Sequence, residues 1–176
     1  MARQSHQLEI GIRYIRNCLS SDNRMMATHS SRIRQATSED LDLLVPLFDD
    51  YRQFYLLPSD PERARSFLSE RLRHNQSVVF LAFDNGGATG FTQLYPSFSS
   101  GAMERTFILN DLFVAPQARR RGTGAALLEA ATKHARTAGA HWLVLSTELT
   151  NIAARAPYEK LGWKRDTSFC VYQFAL

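Results

Sequence analysis

The pattern of apolar and polar positions changes period several times along this chain. Residues 32–36 form a short first strand, with Ile33 facing inward. Thr37, Ser38, Glu39 and Asp40 have the spacing of a capping box, ahead of the apolar positions Leu41, Leu43, Leu44 and Val45. That predicts a helix running toward Tyr55, kinked near Pro46. Ser59, Asp60, Pro61 and Glu62 open a second helix, through about His74, with Phe67, Leu68 and Leu72 as its buried stripe. Residues 77–83 read as a strand, 84–87 as a turn and 88–95 as the hairpin partner. Residues 96–102, rich in serine, read as a loop, and 103–114 as a longer strand. A helix follows from Gly122 to near Gly139. Residues 141–146 suit a buried strand, with Trp142, Val144 and Leu145. A short helix is expected over 151–161, then strands at 164–166 and 169–174. Strands and helices interspersed around one sheet make a mixed α/β layer architecture.

The most informative stretch is 110–128. Leu112, Phe113 and Val114 end a strand at Ala115 and Pro116. Arg119, Arg120 and Arg121 follow, then Gly122, Thr123 and Gly124, then a helix-forming run from Ala125. Backbone N–H groups at a helix start are unpaired and carry the positive end of the helix dipole. Glycine allows close approach of a ligand, and arginine offers paired donors to phosphate oxygens. The stretch reads as a pyrophosphate cradle. It is not a Walker A loop, since no lysine follows Gly124. It is not a dinucleotide fingerprint, since Leu127 stands where the third glycine is due.

The spacing Arg119-x-x-Gly122-x-Gly124 resembles the acyl-CoA pyrophosphate loop of the GNAT family of N-acetyltransferases. Asn151, Ala154, Tyr158, Gly162 and Trp163 resemble the same family's downstream signature, about 30 residues on. The likeness runs from about Ile33 to the C-terminus. It implies a mixed, mostly antiparallel central sheet flanked by helices, and acetyl-CoA as acetyl donor. It further implies that backbone groups of Leu112, Phe113 and Val114 pair with the pantetheine arm, with one N–H at Leu112 or Phe113 polarising the thioester oxygen. Residues Arg119, Arg120, Arg121, Gly122, Thr123 and Gly124 would hold the pyrophosphate, and Asn151 and Ala154 would line the donor's other side. Tyr158 matches the general acid that protonates the departing thiolate. A thiol titrates near 8.5 and a phenol near 10, so that transfer is close to balanced. Pro157 stands where a helix former is usual, and the helix kinks or restarts there.

Composition narrows the field. The chain has 176 residues, 44% hydrophobic, enough for one domain with a core. We read 1–31 as an N-terminal extension, disordered, and 32–176 as the acetyltransferase domain. The formal charge of +4 is concentrated in one arginine turn and the N-terminal segment, which argues against a nucleic-acid face. No run of 18 apolar residues exists, so no membrane span is expected. Cys18 and Cys170 have no metal or redox spacing, no metal is expected, and a reducing cytoplasm is the default. A homodimer is a candidate assembly.

The acceptor is less legible. An alkyl ammonium is only about 0.1% neutral at pH 7.4, so the reaction needs a route for its proton. Diamine acetyltransferases carry a glutamate where Asn110 stands, and many amino-terminal acetyltransferases carry one where Ser146 stands. Asp111 is a candidate base or a structural hydrogen-bonding acid, and Glu148 is a further candidate. Tyr51, Phe54 and Tyr55, with Asp49 and Asp50, sit where the family walls its acceptor site, and aromatics with acids suit a cation. The same residues also read as a helix end packed on the sheet. The expected activity is acetylation of a primary amine of a small, polyamine-like molecule. The alternatives are acetylation of a protein lysine or amino terminus, and a non-catalytic acyl-CoA sensor.

Overall fold

The computed structural model describes residues 31–147 and 158–175. Five strands form one sheet in sequence order: β1 (Arg32–Gln35), β2 (Val78–Asp84), β3 (Gly87–Ser99), β4 (Glu104–Val114) and β5 (Trp142–Leu145). The first four pair antiparallel, and β5 runs parallel to β4. Helices α1 (Leu41–Phe54) and α2 (Pro61–Arg73) cover one face, and α3 (Thr123–Thr137) covers the other.

The helix starts follow the sequence chemistry. The Thr37 hydroxyl accepts from the Glu39 amide, and Asp40 accepts from the Thr37 amide, closing a capping box on a 3-10 turn ahead of α1. Arg34 clamps the same Asp40 carboxylate with two nitrogens, at 2.7 and 2.6 Å. Asp60 caps α2 through the Arg63 amide, with Pro61 in the first turn. Buried Asp49, near the end of α1, gathers the connection between the helices by accepting from Ser59, Gln53 and the Asp60 amide. Leu44, Phe48, Leu68, Leu81 and Phe91 fill the core under α1 and α2; Leu127, Leu128 and Ala131 fill it under α3.

Three expectations are corrected. Residues 96–99 continue β3 rather than opening a loop, and Pro96 pairs with Phe107. Proline is tolerated because β2 reaches only Leu94, so β3 has no β2 neighbour at that point. The strand at 142–145 is not buried: it closes the sheet's edge, and Trp142 and Val144 are each about half exposed. No strands form at 164–166 or 169–174. Phe169, Val171, Tyr172 and Phe174 are all exposed, with no packed face to reward extended pairing. The expected extension at 1–31 lies outside the described residues, except for Ser31.

Candidate active site

The site is built at the end of β4. The β4–β5 ladder stops at Leu109 and Leu145, whereas β3 stays paired with β4 as far as Gly90 and Val114. The described β5 ladder therefore ends five residues before the β3 ladder does. Gly90 makes the close approach on the β3 side possible: a Cβ there would lie 2.6 Å from the Phe113 carbonyl oxygen and 3.2 Å from Val114 Cα.

Beyond Val114 the chain turns through a 3-10 turn, Pro116–Ala118, into the arginine loop. Arg120 and Gly122 both take left-handed backbone, with φ of 63° and 85°. Such turns curve successive N–H groups toward one point. Gly122 precedes α3, and no side chain caps that helix start. The buried Thr123 hydroxyl lies 3.3 Å from the Ala118 carbonyl oxygen and 3.1 Å from Ser31 Oγ. The arginine–glycine loop is thus contiguous backbone that leads through Gly122 into the start of α3. Its arginines differ in what they do. Arg120 and Arg121 are exposed at its rim. Arg119 turns back: its Nε donates to the Val114 carbonyl at 2.9 Å, and its guanidinium lies 5.9 Å from the Phe54 ring centroid. It ties the loop to the end of β4 and to α1.

A second feature lies one turn of chain earlier. Asp111 pairs with Gln93, but the next pair is Leu109 with Leu94, so Asn110 is an extra residue in β4. This bulge changes which face follows it. Phe107 points toward α3, its ring 5.4 Å from His134. Past the bulge, Asp111 and Phe113 point toward α1. There the Tyr51 hydroxyl donates to Asp111 Oδ1 at 2.6 Å, and Tyr51 meets Phe91 and Phe113 edge-on. Asn110 Nδ2 also donates to Oδ1, at 3.1 Å. Tyr55 packs edge-on against Tyr51, with centroids 4.9 Å apart.

Burial sets the electrostatics here. Asp111 is only 4% exposed, and burial pushes its carboxyl up, against the two hydrogen bonds that favour the anion. Burial and the neighbouring Asp111 carboxylate push the Tyr51 phenol well above its ordinary value. The Tyr95 phenol is pushed up to about 12 by burial and by Asp111, against Arg71. The sequence-predicted Tyr51, Tyr55 and Asp111 therefore form one cluster. Asp49 does not join it: its carboxylate is consumed by the α1–α2 connection, where hydrogen bonds and Arg52 outweigh burial and hold it below its ordinary value. Gln93, Ser77 and Tyr95 were not anticipated. The available signal was Gln93 itself, a polar residue in an apolar strand between Phe91 and Leu94.

Tyr158 lies in a helical turn described over 158–160 and is 6% exposed, its ring 6.1 Å from Trp163. Asn151, Ala154, Glu148 and Pro157 lie outside the described residues. His141 is paired with Glu104 at the start of β4, away from the bulge. Among the described residues, no cluster of His, Cys, Asp and Glu is arranged to hold a metal, and no helix is long and apolar enough to cross a membrane.

Comparison with known proteins agrees with this architecture. The model of the acetyltransferase (GNAT) family matches residues 44–163. An N-acetyltransferase of Bacillus subtilis strain 168, YhfO, is 49% identical over 140 residues, 80% of this chain and 94% of its own. The D-amino-acid N-acetyltransferase HPA3 of Saccharomyces cerevisiae is 33% identical over 123 residues, 68% of this chain and 76% of its own. The crystal structure of a probable acetyltransferase, 45% identical, superposes with a TM-score of 0.78 over 82% of this chain and 97% of that one. The chain belongs to the GNAT family of N-acetyltransferases.

Proposed function

We propose that this enzyme transfers the acetyl group of acetyl-CoA to a primary ammonium of a small molecule, with Asp111 as the charge that anchors the acceptor. The observation that carries this is the buried Asp111 carboxyl among Tyr51, Tyr55 and Tyr95. Both described donors reach only one of its oxygens, Oδ1. Burial without a cation disfavours the carboxylate, and an ammonium beside it restores the ionised form. Tyrosine rings around the carboxyl add favourable faces for a cation.

The overall reaction balances simply. The ammonium nitrogen forms a bond to the acetyl carbon, the C–S bond breaks, the thiolate takes one proton and solvent takes another. Acetyl-CoA supplies the activated acyl carbon. The residues of this chain do the rest. The backbone of Leu112, Phe113 and Val114, at the end of β4, is where the pantetheine arm adds. The loop from Arg119 to Gly124 holds the pyrophosphate. The uncapped start of α3 and the absence of a Cβ at Gly122 fit that group. Arg120 and Arg121 add charge at the rim, while Arg119 keeps the loop against β4. The family resemblance assigns Asn151 and Ala154 to the donor's other side. Tyr158 donates its hydroxyl proton to sulfur as the thiolate leaves. The small-molecule acceptor in the name of HPA3, a D-amino acid, favours a free amine. We place the enzyme in the cytoplasm, as a homodimer.

The test is thiol release from acetyl-CoA with a panel of propylamine, putrescine, tyramine, amino acids, an aminoglycoside and a lysine peptide. Turnover with a free amine and none with the peptide supports the reading. Turnover confined to the peptide overturns it.

A further inference from the structure

Gln93 is the residue opposite Asp111 across the β3–β4 ladder. It has no exposed surface, yet only half of its amide is satisfied. Its Nε2 donates to Ser77 Oγ at 2.7 Å, and Ser77 is itself buried. Its Oε1 receives no hydrogen bond. Phe91, two residues earlier on β3, packs on Phe48 and Tyr51, so this side of β3 faces α1, as Asp111 does after the bulge. Directly opposed residues of an antiparallel pair have Cβ atoms about 4.5–5.5 Å apart. Two oxygens of the cluster thus lack a described donor: Asp111 Oδ2 and Gln93 Oε1. A buried acceptor without a donor is costly, and apolar neighbours cannot relieve it. One group carrying two or more N–H bonds would satisfy both.

We propose that Gln93 is a specificity-determining residue, its Oε1 accepting one N–H of the acceptor amine while Asp111 Oδ2 accepts another. The inference rests on the acceptor site proposed above and deepens it. A primary ammonium has three N–H bonds. With two of them held by Asp111 and Gln93, loss of the third proton leaves the nitrogen lone pair free to attack the acetyl carbon. An N-methyl amine has one N–H fewer, so after losing its proton it cannot satisfy both oxygens. The pair therefore selects primary over N-methyl amines. Ser77 Oγ accepts from Nε2 and so holds the side-chain amide in place, with Oε1 left for the ligand.

The experiment compares the wild type with Gln93→Met, which keeps length and removes both polar atoms, and with Ser77→Ala, which leaves Gln93 in place. The probes are whichever free amine of the panel above the wild type acetylates fastest, and the N-methyl derivative of that amine. The expected wild-type preference for the primary amine is about 10-fold or more in kcat/KM, the scale of a hydrogen bond to a charged group. Gln93→Met should bring that ratio to near one and raise KM for the primary amine about 10-fold, with KM for acetyl-CoA unchanged within twofold. Ser77→Ala should reduce the ratio part of the way. An unchanged ratio in both variants overturns the proposal, even if thermal stability falls, because it would mean that Gln93 only packs or holds water. If Gln93→Met does not fold, the Ser77→Ala ratio decides. Failure of the wild type to acetylate any free amine of that panel sinks the acceptor reading itself, and Gln93's role with it.

Discussion

Replacing Gly90 by alanine places one methyl group where β3 and β4 come closest at the donor end of the sheet. The new carbon would lie 2.6 Å from the Phe113 carbonyl oxygen, 3.2 Å from Val114 Cα and 3.4 Å from a Leu127 methyl. Nonbonded carbon atoms are at their best separation at about 3.5–4.0 Å, and a carbonyl oxygen is only slightly smaller. Relief therefore needs a shift of well over half an ångström, and the first two atoms are backbone. They cannot swing aside as a flexible side chain would. Forcing a methyl group into a packed site typically costs about 1–3 kcal/mol. For a domain of this size that is a fall of roughly 2–12 °C in Tm, using about 2–4 °C per kcal/mol. The displaced backbone is the segment assigned to the pantetheine arm, so donor binding should weaken about 10-fold. Differential scanning fluorimetry gives the first number and calorimetric titration with acetyl-CoA gives the second. If Tm stays within 1 °C and the Kd for acetyl-CoA is unchanged, the β3–β4 contact does not position the donor strand.

Four further outcomes follow from the same geometry. Gly124→Glu should abolish measurable acetyl-CoA binding by calorimetry, because it places a carboxylate in the cradle; wild-type affinity would remove the loop from the donor site. Tyr158→Phe should lower kcat by roughly 10²–10⁴-fold while leaving the Kd for acetyl-CoA nearly intact; a fall below about threefold would mean another group protonates the thiolate. Asp40 sits at about pKa 2, held down first by its bond to Arg34, so its stabilisation is present above the unfolded value near 4 and is lost as pH falls from 4 to 2. Arg34 is 41% exposed, which reduces the worth of the pair to about 1–2 kcal/mol, and Asp40→Asn should remove that much at pH 7 and little at pH 2.5 in urea unfolding. Asp111 has the opposite sign: burial raises it, so its favourable contribution belongs to low pH and is lost as pH rises through the folded value. Asp111→Asn should therefore melt no lower than the wild type at pH 8 while losing about 100-fold or more in kcat/KM for the amine, and a lower Tm at pH 8 would contradict this.

What could be read from sequence was what is written in local chemistry. Thr37 and Asp40, Asp60 with Pro61, and Gly122 ahead of a helix-forming run each mark an element end by a mechanism that needs no partner strand. The loop proposed to hold the donor could be outlined for the same reason: it is contiguous backbone. The bulge at Asn110 was not, because no glycine or proline marks it and it exists only through the register of β4 against β3. That single extra residue decides that Asp111 faces Tyr51, so the acceptor cluster could be named by residue type but not assembled. Pro96 misled because its cost depends on whether a neighbouring strand needs its amide, and β2 has ended by then. The apolar residues at 169–174 misled because their pattern suits pairing, yet in the structure they remain exposed.

Asp111 and the loop after β4 are proposed to serve together in acetyl transfer to a small primary amine. The most direct test is mass spectrometry of the amine product, run in parallel with thiol release, for the wild type and for Asp111→Asn across the amine panel. The wild type should release CoA thiol and a monoacetylated amine in equal amounts. Asp111→Asn should show an amine-dependent rate lower by about 100-fold or more, with acetyl-CoA still bound at wild-type affinity. Thiol release with no acetylated amine, or an Asp111→Asn variant as active as the wild type, would contradict the proposal.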